Sequence, residues 1–118
     1  MPHARRLFGD ASEALAEEYL VARGYKILDR QFLTRAGEID LIAEVGQEIV
    51  FIEVKARHTD QFGYPEAAVT PAKLRKIAKT AELYLRSKNL THRPFRIDVV
   101  AIESQFSPAR ISLFEAVG

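Results

Sequence analysis

Residues 37–57 read GEIDLIAEVGQEIVFIEVKAR and contain two apolar runs that are separated by Gly46 and Gln47. A glycine at the first central position is typical of a two-residue hairpin turn of the mirror-image type. Such a turn makes Val45 face Glu48 and predicts two antiparallel strands. Both strands are apolar on both faces, which is expected of a sheet that is covered by helices.

The same hairpin brings two carboxylates together. Counting outward from the turn places Asp40 opposite Glu53, with their Cβ atoms about 5 Å apart on one face of the sheet. Like charges at that distance destabilise a sheet, so a cation is expected between them. A divalent metal could bind to both carboxylates and to the carbonyl oxygen of Val54. The alternative is a salt-bridge cluster with Lys55, which lies on the same face and which the register places opposite Glu38.

The rest of the sequence alternates between helical and extended patterns. Asp10 and Glu13 have the spacing of a capping box, and apolar residues then repeat at helical intervals until Gly24. Thr70 and Pro71 supply a cap and a first position for a second helix. The predicted segments are a helix at roughly 10–23, strands at 25–35, 38–45 and 48–57, a loop at 58–70, a helix from 71, and strands at 95–103 and 110–117.

Length and composition narrow the class of protein. A chain of 118 residues is long enough for one domain, which we expect to span 1–118. No stretch approaches the roughly 20 apolar residues that cross a bilayer, so we expect no membrane segment. The N-terminal sequence lacks the plan of a secretory signal, and the chain contains no cysteine. Both features favour a cytoplasmic protein.

The net charge of +1 hides an uneven distribution. Residues 54–96 carry ten basic and three acidic side chains, a balance of +7, whereas the segments on either side are acidic. Such asymmetry favours a nucleic-acid partner, although a lysine-rich helix is also typical of a solvated surface. The candidate phosphate-binding residues follow the hairpin and are Arg57, Lys73, Arg75, Lys76 and Lys79.

The sequence also resembles known families. The segments GEIDLIA and FIEVKAR together resemble the Asp…Glu-x-Lys signature of the restriction-endonuclease-like nucleases. The order GDASEALAEEYL, GYKIL, GEIDLIA, VFIEVKAR, FGYPEAAVTPAKLRKI and RIDVVAI is similar to the YraN-like family of bacterial proteins, whose fold is similar to archaeal Holliday junction resolvases. The resemblance implies an α/β fold of the restriction-endonuclease-like type, with a mixed central β-sheet flanked by helices.

The resemblance also implies a site and an activity. Asp40 and Glu53 would hold Mg²⁺ or Mn²⁺, and Lys55 would activate the attacking water or stabilise developing charge. Glu13 would complete the site, unless it serves only to cap its helix. The expected function is a metal-dependent, structure-selective endonuclease that acts on branched DNA in recombination or repair. The alternative is a non-catalytic nucleic-acid-binding module that works with a partner. The resemblance decides neither whether the nucleic acid is DNA or RNA nor whether the protein is a monomer or a homodimer.

Overall fold

The computed structural model describes residues 4–58 and 69–118, with side chains from Ala11 onward. Two helices and five strands follow the predicted order, and most of the loop predicted at 58–70 lies outside the described residues. The elements are α1 (Ala4–Ala22), β1 (Lys26–Leu33), β2 (Glu38–Val45), β3 (Glu48–Arg57), α2 (Pro71–Ser87), β4 (Phe95–Glu103) and β5 (Arg110–Phe114).

The five strands form one mixed sheet in the order β1-β2-β3-β4-β5. β3 and β4 are parallel, and the three other neighbouring pairs are antiparallel. A parallel pair needs a crossover connection, and α2 lies in the connection between β3 and β4. The prediction of a mixed sheet flanked by helices is therefore confirmed.

The turn between β2 and β3 has the predicted form. Val45 pairs with Glu48, and Gly46 has a φ of 58°. A positive φ at the first central residue alone is the signature of a type II′ turn, whose twist matches that of the strands. The hairpin register then continues to Leu41 and Ile52, in agreement with the register that the sequence predicts.

Each face of the sheet carries its own apolar cluster, so both faces of the central strands are buried. One cluster includes Leu20 of α1 with Leu41, Val50, Ile52 and Val100 of the sheet. The other packs α2 against the opposite face, and its members include Ile42, Phe51, Ile77, Tyr84 and Ile97. The ring of Tyr84 makes edge contacts with those of Phe32 and Phe51, and its hydroxyl donates to Asp29 over 2.8 Å.

The start of α1 differs from the prediction, whereas its end does not. The helix begins at Ala4, so Asp10 lies inside it and the capping box of Asp10 and Glu13 is wrong. At the other end, Gly24 has a φ of 91° and donates to Val21, while the N–H of Tyr25 donates to Leu20. This pair of bonds is the Schellman motif, which glycine favours because it lacks a Cβ.

The start of α2 matches the sequence prediction. The Thr70 hydroxyl accepts a hydrogen bond from the N–H of Lys73 over 3.2 Å, and Pro71 occupies the first helical turn. The cap satisfies one of the N–H groups that a helix start leaves without an intrahelical partner. It also places the side chain of Lys73 on the first turn, where α2 faces the sheet.

Asp98 of β4 ties the C-terminal residues to the sheet. It is fully buried, and it accepts hydrogen bonds from the Tyr25 hydroxyl over 2.7 Å and from the N–H of Ala116 over 2.9 Å. Arg96 pairs with Asp98 at 3.1 Å and with Glu48 at 2.6 Å. Burial and the bond to Asp98 raise the pKa of Tyr25 to about 12. The residues after β5, which ends earlier than predicted, are held by this network.

No helix in the described ranges is both long enough and apolar enough to pass through a lipid bilayer.

Candidate functional site

The candidate site lies where β2 and β3 separate. The paired register ends at Leu41 and Ile52, and the next residues are Asp40 and Glu53. Beyond this point a side chain takes the place of a backbone hydrogen-bond acceptor, because the N–H of Val54 donates to Oδ2 of Asp40 over 2.8 Å. The two carboxylates open into a cleft of about 340 Å³, which is lined by Gly37, Glu38, Asp40, Glu53, Val54, Lys73, Lys76 and Ile77.

The cation beside the carboxylates comes from α2. Nζ of Lys73 lies 2.7 Å from Oε2 of Glu53. The side chain of Glu53 is only 7% exposed, whereas that of Lys73 is 41% exposed. The hydrogen bond to Glu53 and the charges of Glu53, Asp40 and Glu38 raise the pKa of Lys73, against the opposing effect of burial. Lys73 therefore compensates a carboxylate that has little access to water.

The protonation of Asp40 is strongly affected by its surroundings. Burial raises its pKa, the negative charge of Glu53 raises it further, and the value reaches about 7. The hydrogen bond from Val54 opposes this rise, while the charges of Glu13 and Glu38 add to it. A carboxyl group with a pKa near neutrality in a cleft is a common property of functional sites. Burial and the neighbouring carboxylate therefore favour the protonated form of Asp40 when no further cation is present.

Glu13 does not line this cleft in the described part of the protein, but its charge is near enough to raise the pKa of Asp40. It accepts a hydrogen bond from Nε2 of Gln31 over 3.2 Å, and both side chains line a neighbouring cavity of about 310 Å³ with Glu17 and Arg30. Gln31 has a φ of 52°, an uncommon conformation for a residue with a side chain. Glu13 thus acts on Asp40 through its charge, and the helix bounds exclude the capping role.

The structure separates Lys55 from the carboxylates more than the sequence suggested. Strand alternation keeps Lys55 on the same face of β3 as Glu53. Within the described ranges, however, Lys55 neither lines the cleft nor lies within salt-bridge distance of Asp40 or Glu53. Lys73 takes the position beside Glu53 that the sequence assigned to Lys55. The structure therefore shows an ion pair between Glu53 and a lysine of α2, and not the salt-bridge cluster with Lys55 that the sequence offered as an alternative.

The donor atoms in the cleft fit a magnesium-type cation. In a strand, the N–H and C=O of one residue point to the same side, so the Val54 carbonyl points toward Asp40 as its N–H does. Two carboxylates and one carbonyl are oxygen donors, which Mg²⁺ and Mn²⁺ prefer. Among the side chains that the structure describes, at residues 11–58 and 69–118, no group of three or more His, Cys, Asp or Glu is placed to hold a metal. This set suits a cation that completes its coordination with water and substrate phosphates.

The candidate phosphate-binding residues separate into two groups. Lys73 and Lys76 line the cleft, and Lys79 follows one turn later on the exposed surface of α2. Arg75 is also exposed and does not line the cleft; it lies four residues before Lys79 and therefore on the same side of α2 as Lys79. Arg57 ends β3 and is half-buried. Lys73, Lys76 and Lys79 form a row of lysines along α2, and Lys73 and Lys76 are the two members of this row that border the carboxylates.

Comparison with known proteins shows which family this chain belongs to. The model of a family described as "Uncharacterised protein family UPF0102" matches residues 12–102. The chain belongs to the UPF0102 family. The match spans the hairpin and α2, so the carboxylates and the lysine row all lie within the family region. The resemblance to the YraN-like family is thereby confirmed.

Relatives in the UPF0102 family cover most of the chain. A UPF0102 protein of Vibrio campbellii is 46% identical over 101 residues, which cover 84% of this chain and 83% of the relative. One from Syntrophomonas wolfei is 45% identical over 107 residues, covering 91% and 93% respectively. One from Clostridium tetani is 49% identical over 94 residues, covering 80% and 77%. The similarity to each of these three relatives therefore extends over 80% or more of this chain.

Two contacts in this UPF0102 site were missed from the sequence. The pairing of Lys73 with Glu53 was indicated only indirectly, by the cap at Thr70 that starts α2 in the crossover between two parallel strands. The bond between Gln31 and Glu13 had no local signal, because it joins β1 to α1 across the edge of the sheet. Both contacts depend on tertiary packing.

Proposed function

We propose that this protein is a metal-dependent, structure-selective endonuclease that hydrolyses phosphodiester bonds in branched DNA. The observation that carries the proposal is the pair formed by the half-buried Asp40 and the buried Glu53, which opens into a cleft bordered by Lys73 and Lys76. A sheet gains nothing in stability from two adjacent carboxylates that have little access to water, whereas a cation site requires them. The lysines border that site with the positive charge that a phosphodiester would meet.

The chain supplies the ligands of a catalytic cation. Asp40, Glu53 and the Val54 carbonyl would hold Mg²⁺ or Mn²⁺, which when bound polarises a phosphate and lowers the pKa of a coordinated water. The hydrogen bond from Val54 to Oδ2 of Asp40 fixes one carboxylate in place before any ligand arrives. Burial of Glu53 in the central strand fixes the other. Such preorganisation reduces the reorganisation needed at the moment of reaction.

The surrounding side chains would set the pH dependence of the reaction and bind the phosphates of the substrate. A cation would release the proton that Asp40 carries at low pH, so activity should require deprotonation of this carboxyl group. Lys76 and Lys79 would contact phosphates on either side of the scissile bond and position the strand. Lys55, on the same face of β3 beyond the cleft, would stabilise charge on the departing oxygen if the substrate extends over that face.

A second candidate function is supported by the position of Lys55. In the described ranges it does not line the cleft, although the nuclease resemblance assigns it a catalytic role. A binding module that retains the fold without cutting would have no need of Lys55 at the carboxylates. In this alternative the protein binds branched nucleic acid through the lysine row and acts with a partner.

The two functions can be separated by a cleavage assay with a matched control. The protein would be incubated with branched, nicked, flapped, single-stranded and duplex DNA in Mg²⁺ or Mn²⁺. If it is a nuclease, Glu53→Gln should reduce cutting by roughly two orders of magnitude or more while DNA binding is kept. Glu18→Gln, at an exposed position of α1, makes the same chemical change away from the cleft and should leave cutting unchanged.

Two results of the cleavage assay would contradict the nuclease proposal. Cutting that survives in Glu53→Gln would belong to another site or to a contaminating nuclease. Absence of cutting on all substrates with either metal, combined with salt-dependent binding of branched DNA, would favour the binding module.

A further inference from the structure

We propose that Lys73 is an exchangeable cation that neutralises Glu53 in the metal-free protein and leaves it when a divalent metal binds. The inference rests on the proposed function to the extent that it takes the cleft to be a cation site. The inference concerns the group that neutralises Glu53 before a metal binds. No local feature of the sequence assigns this role to a lysine on the first turn of α2.

The ion pair is built so that one partner is fixed and the other can move. Glu53 lies in the middle of the sheet, and its side chain is 7% exposed. Lys73 reaches Oε2 of Glu53 over 2.7 Å from a helix, and its side chain is 41% exposed. Its four-carbon stem has several rotatable bonds and its ammonium is strongly hydrated in water. Lys73 can therefore turn toward solvent without disturbing the core.

The charges in the cleft explain why exchange is expected. Three carboxylates, Glu38, Asp40 and Glu53, line the same cavity as Lys73 and Lys76. A divalent ion held by Asp40 and Glu53 would lie within a few ångströms of the Lys73 ammonium, if that ammonium stayed in place. Like charges at such a distance repel strongly at the edge of a protein interior. Binding of the metal and binding of Lys73 to Glu53 therefore exclude each other.

The released ammonium remains useful to the site. Lys73 is held by the Thr70 cap on the turn that borders the cleft, so its head would move to the mouth and stay near the carboxylates. A lysine at that position meets a phosphate that approaches the bound metal. The exchange would thus make positive charge available to the substrate only when the catalytic cation is present.

Lys76 provides an internal comparison. It lines the same cleft and carries the same charge, but in the described ranges its ammonium is paired with neither Asp40 nor Glu53. A general effect of positive charge on metal binding would be similar for both lysines. Displacement of an ammonium from Glu53 would be specific to Lys73.

The test measures Mn²⁺ binding to the full-length protein by calorimetry at pH 8, without nucleic acid. Lys73→Met keeps most of the apolar stem and should bind Mn²⁺ about tenfold more tightly than the unmodified protein, because no ammonium has to be displaced. Lys76→Met should change the affinity by less than about threefold, as expected for a charge that is not in contact. Equal effects of the two substitutions, or weaker binding by Lys73→Met, would overturn the proposal.

A second measurement uses the unmodified protein and does not depend on a variant that folds. Acetylation of each lysine by an amine-reactive reagent would be followed by mass spectrometry with and without Mn²⁺. Labelling of Lys73 should increase several-fold with Mn²⁺, because its amine is then no longer bound to Glu53, while labelling of Lys76 should stay within about twofold. Labelling of Lys73 that is unchanged or reduced by Mn²⁺ would contradict the exchange.

These results are independent of the cleavage assay. A protein that exchanges Lys73 for Mn²⁺ but cuts no DNA would support the exchange and reject the nuclease. A protein that cuts DNA, with equal metal affinity in the unmodified and Lys73→Met forms, would reject only the exchange. Absence of Mn²⁺ binding to every form would reject the exchange and the metal site together.

Discussion

The raised pKa of Asp40 predicts an unusual dependence of stability on pH. In the metal-free protein the pKa of Asp40 is about 7, against an ordinary value of 3.8. Between these two values the folded state binds a proton that the unfolded state has lost. The free energy of unfolding should therefore fall as pH rises from about 4 to about 7, and the loss should be complete above pH 7.

The size of this effect follows from the shift. The two pKa values differ by about three units, and each unit corresponds to about 1.4 kcal/mol, so the largest expected loss is about 4 kcal/mol. The cleft is open to water, and the ammonium of Lys73 lies beside it, which weakens the repulsion from Glu53. We therefore expect a loss of about 2–3 kcal/mol between pH 4.5 and pH 8.

Asp40→Asn isolates this contribution, because an amide stays neutral and its oxygen can still accept the N–H of Val54. Urea unfolding with EDTA present, followed by circular dichroism at pH 4.5 and pH 8, gives the free energy of unfolding at each pH. The variant should match the unmodified protein at pH 4.5 and exceed it by about 2–3 kcal/mol at pH 8. Glu38→Gln, which changes a more exposed carboxylate of the same cleft, should retain most of the pH dependence.

The reasoning would be refuted by a stability difference between Asp40→Asn and the unmodified protein that is the same at both pH values. It would also be refuted by an unmodified protein that gains stability over this range relative to the variant. The first result would mean that Asp40 ionises in the folded state as readily as in water, and the second that it ionises more readily.

Two further predictions concern the Asp98 network and the lysines of α2. Asp98→Asn should lower the free energy of unfolding by about 3–5 kcal/mol, because Arg96 loses its buried partner. Glu115→Gln, at the exposed end of the same network, should lower it by less than about 1 kcal/mol. Urea titrations of both variants measure these differences. Lys76→Ala combined with Lys79→Ala should weaken binding to all DNA sequences and lower the slope of log affinity against log salt by about 1–2, as measured by fluorescence anisotropy at several salt concentrations. A slope that does not change would place the phosphate contacts elsewhere.

The hairpin could be predicted because its signals are local and agree with one another. Strand alternation, the glycine at position 46 and the apolar runs all favour the same register, and the structure has it. That register is sufficient to bring Asp40 and Glu53 together without knowledge of any other element. The start of α1 could not be predicted in this way, because Gly9 and Asp10 are typical of a helix boundary and yet lie inside the helix.

The lysine of the site could not be assigned from the sequence for a related reason. Lys55 is close to Glu53 along the chain, whereas Lys73 is 20 residues away, so spacing favours Lys55. The choice depends on how α2 packs on the sheet, through contacts such as those of Ile77 and Tyr84. Contacts between elements distant in sequence leave no fixed interval that a single sequence would reveal.

The type II′ turn at Gly46 has a consequence for how this protein can change its length. Residues added at the tip of the turn leave the pairing below it intact, since the ladder from Val45 to Leu41 closes independently of the loop. Loss of one residue between Asp40 and Val45 would instead turn the Asp40 carboxylate to the opposite side of the sheet, against α1. The strands of the hairpin therefore tolerate no one-residue change, because such a change moves side chains to the other face of the sheet, whereas the turn tolerates added residues. The tip of the turn is a suitable place for a genetically encoded tag or label.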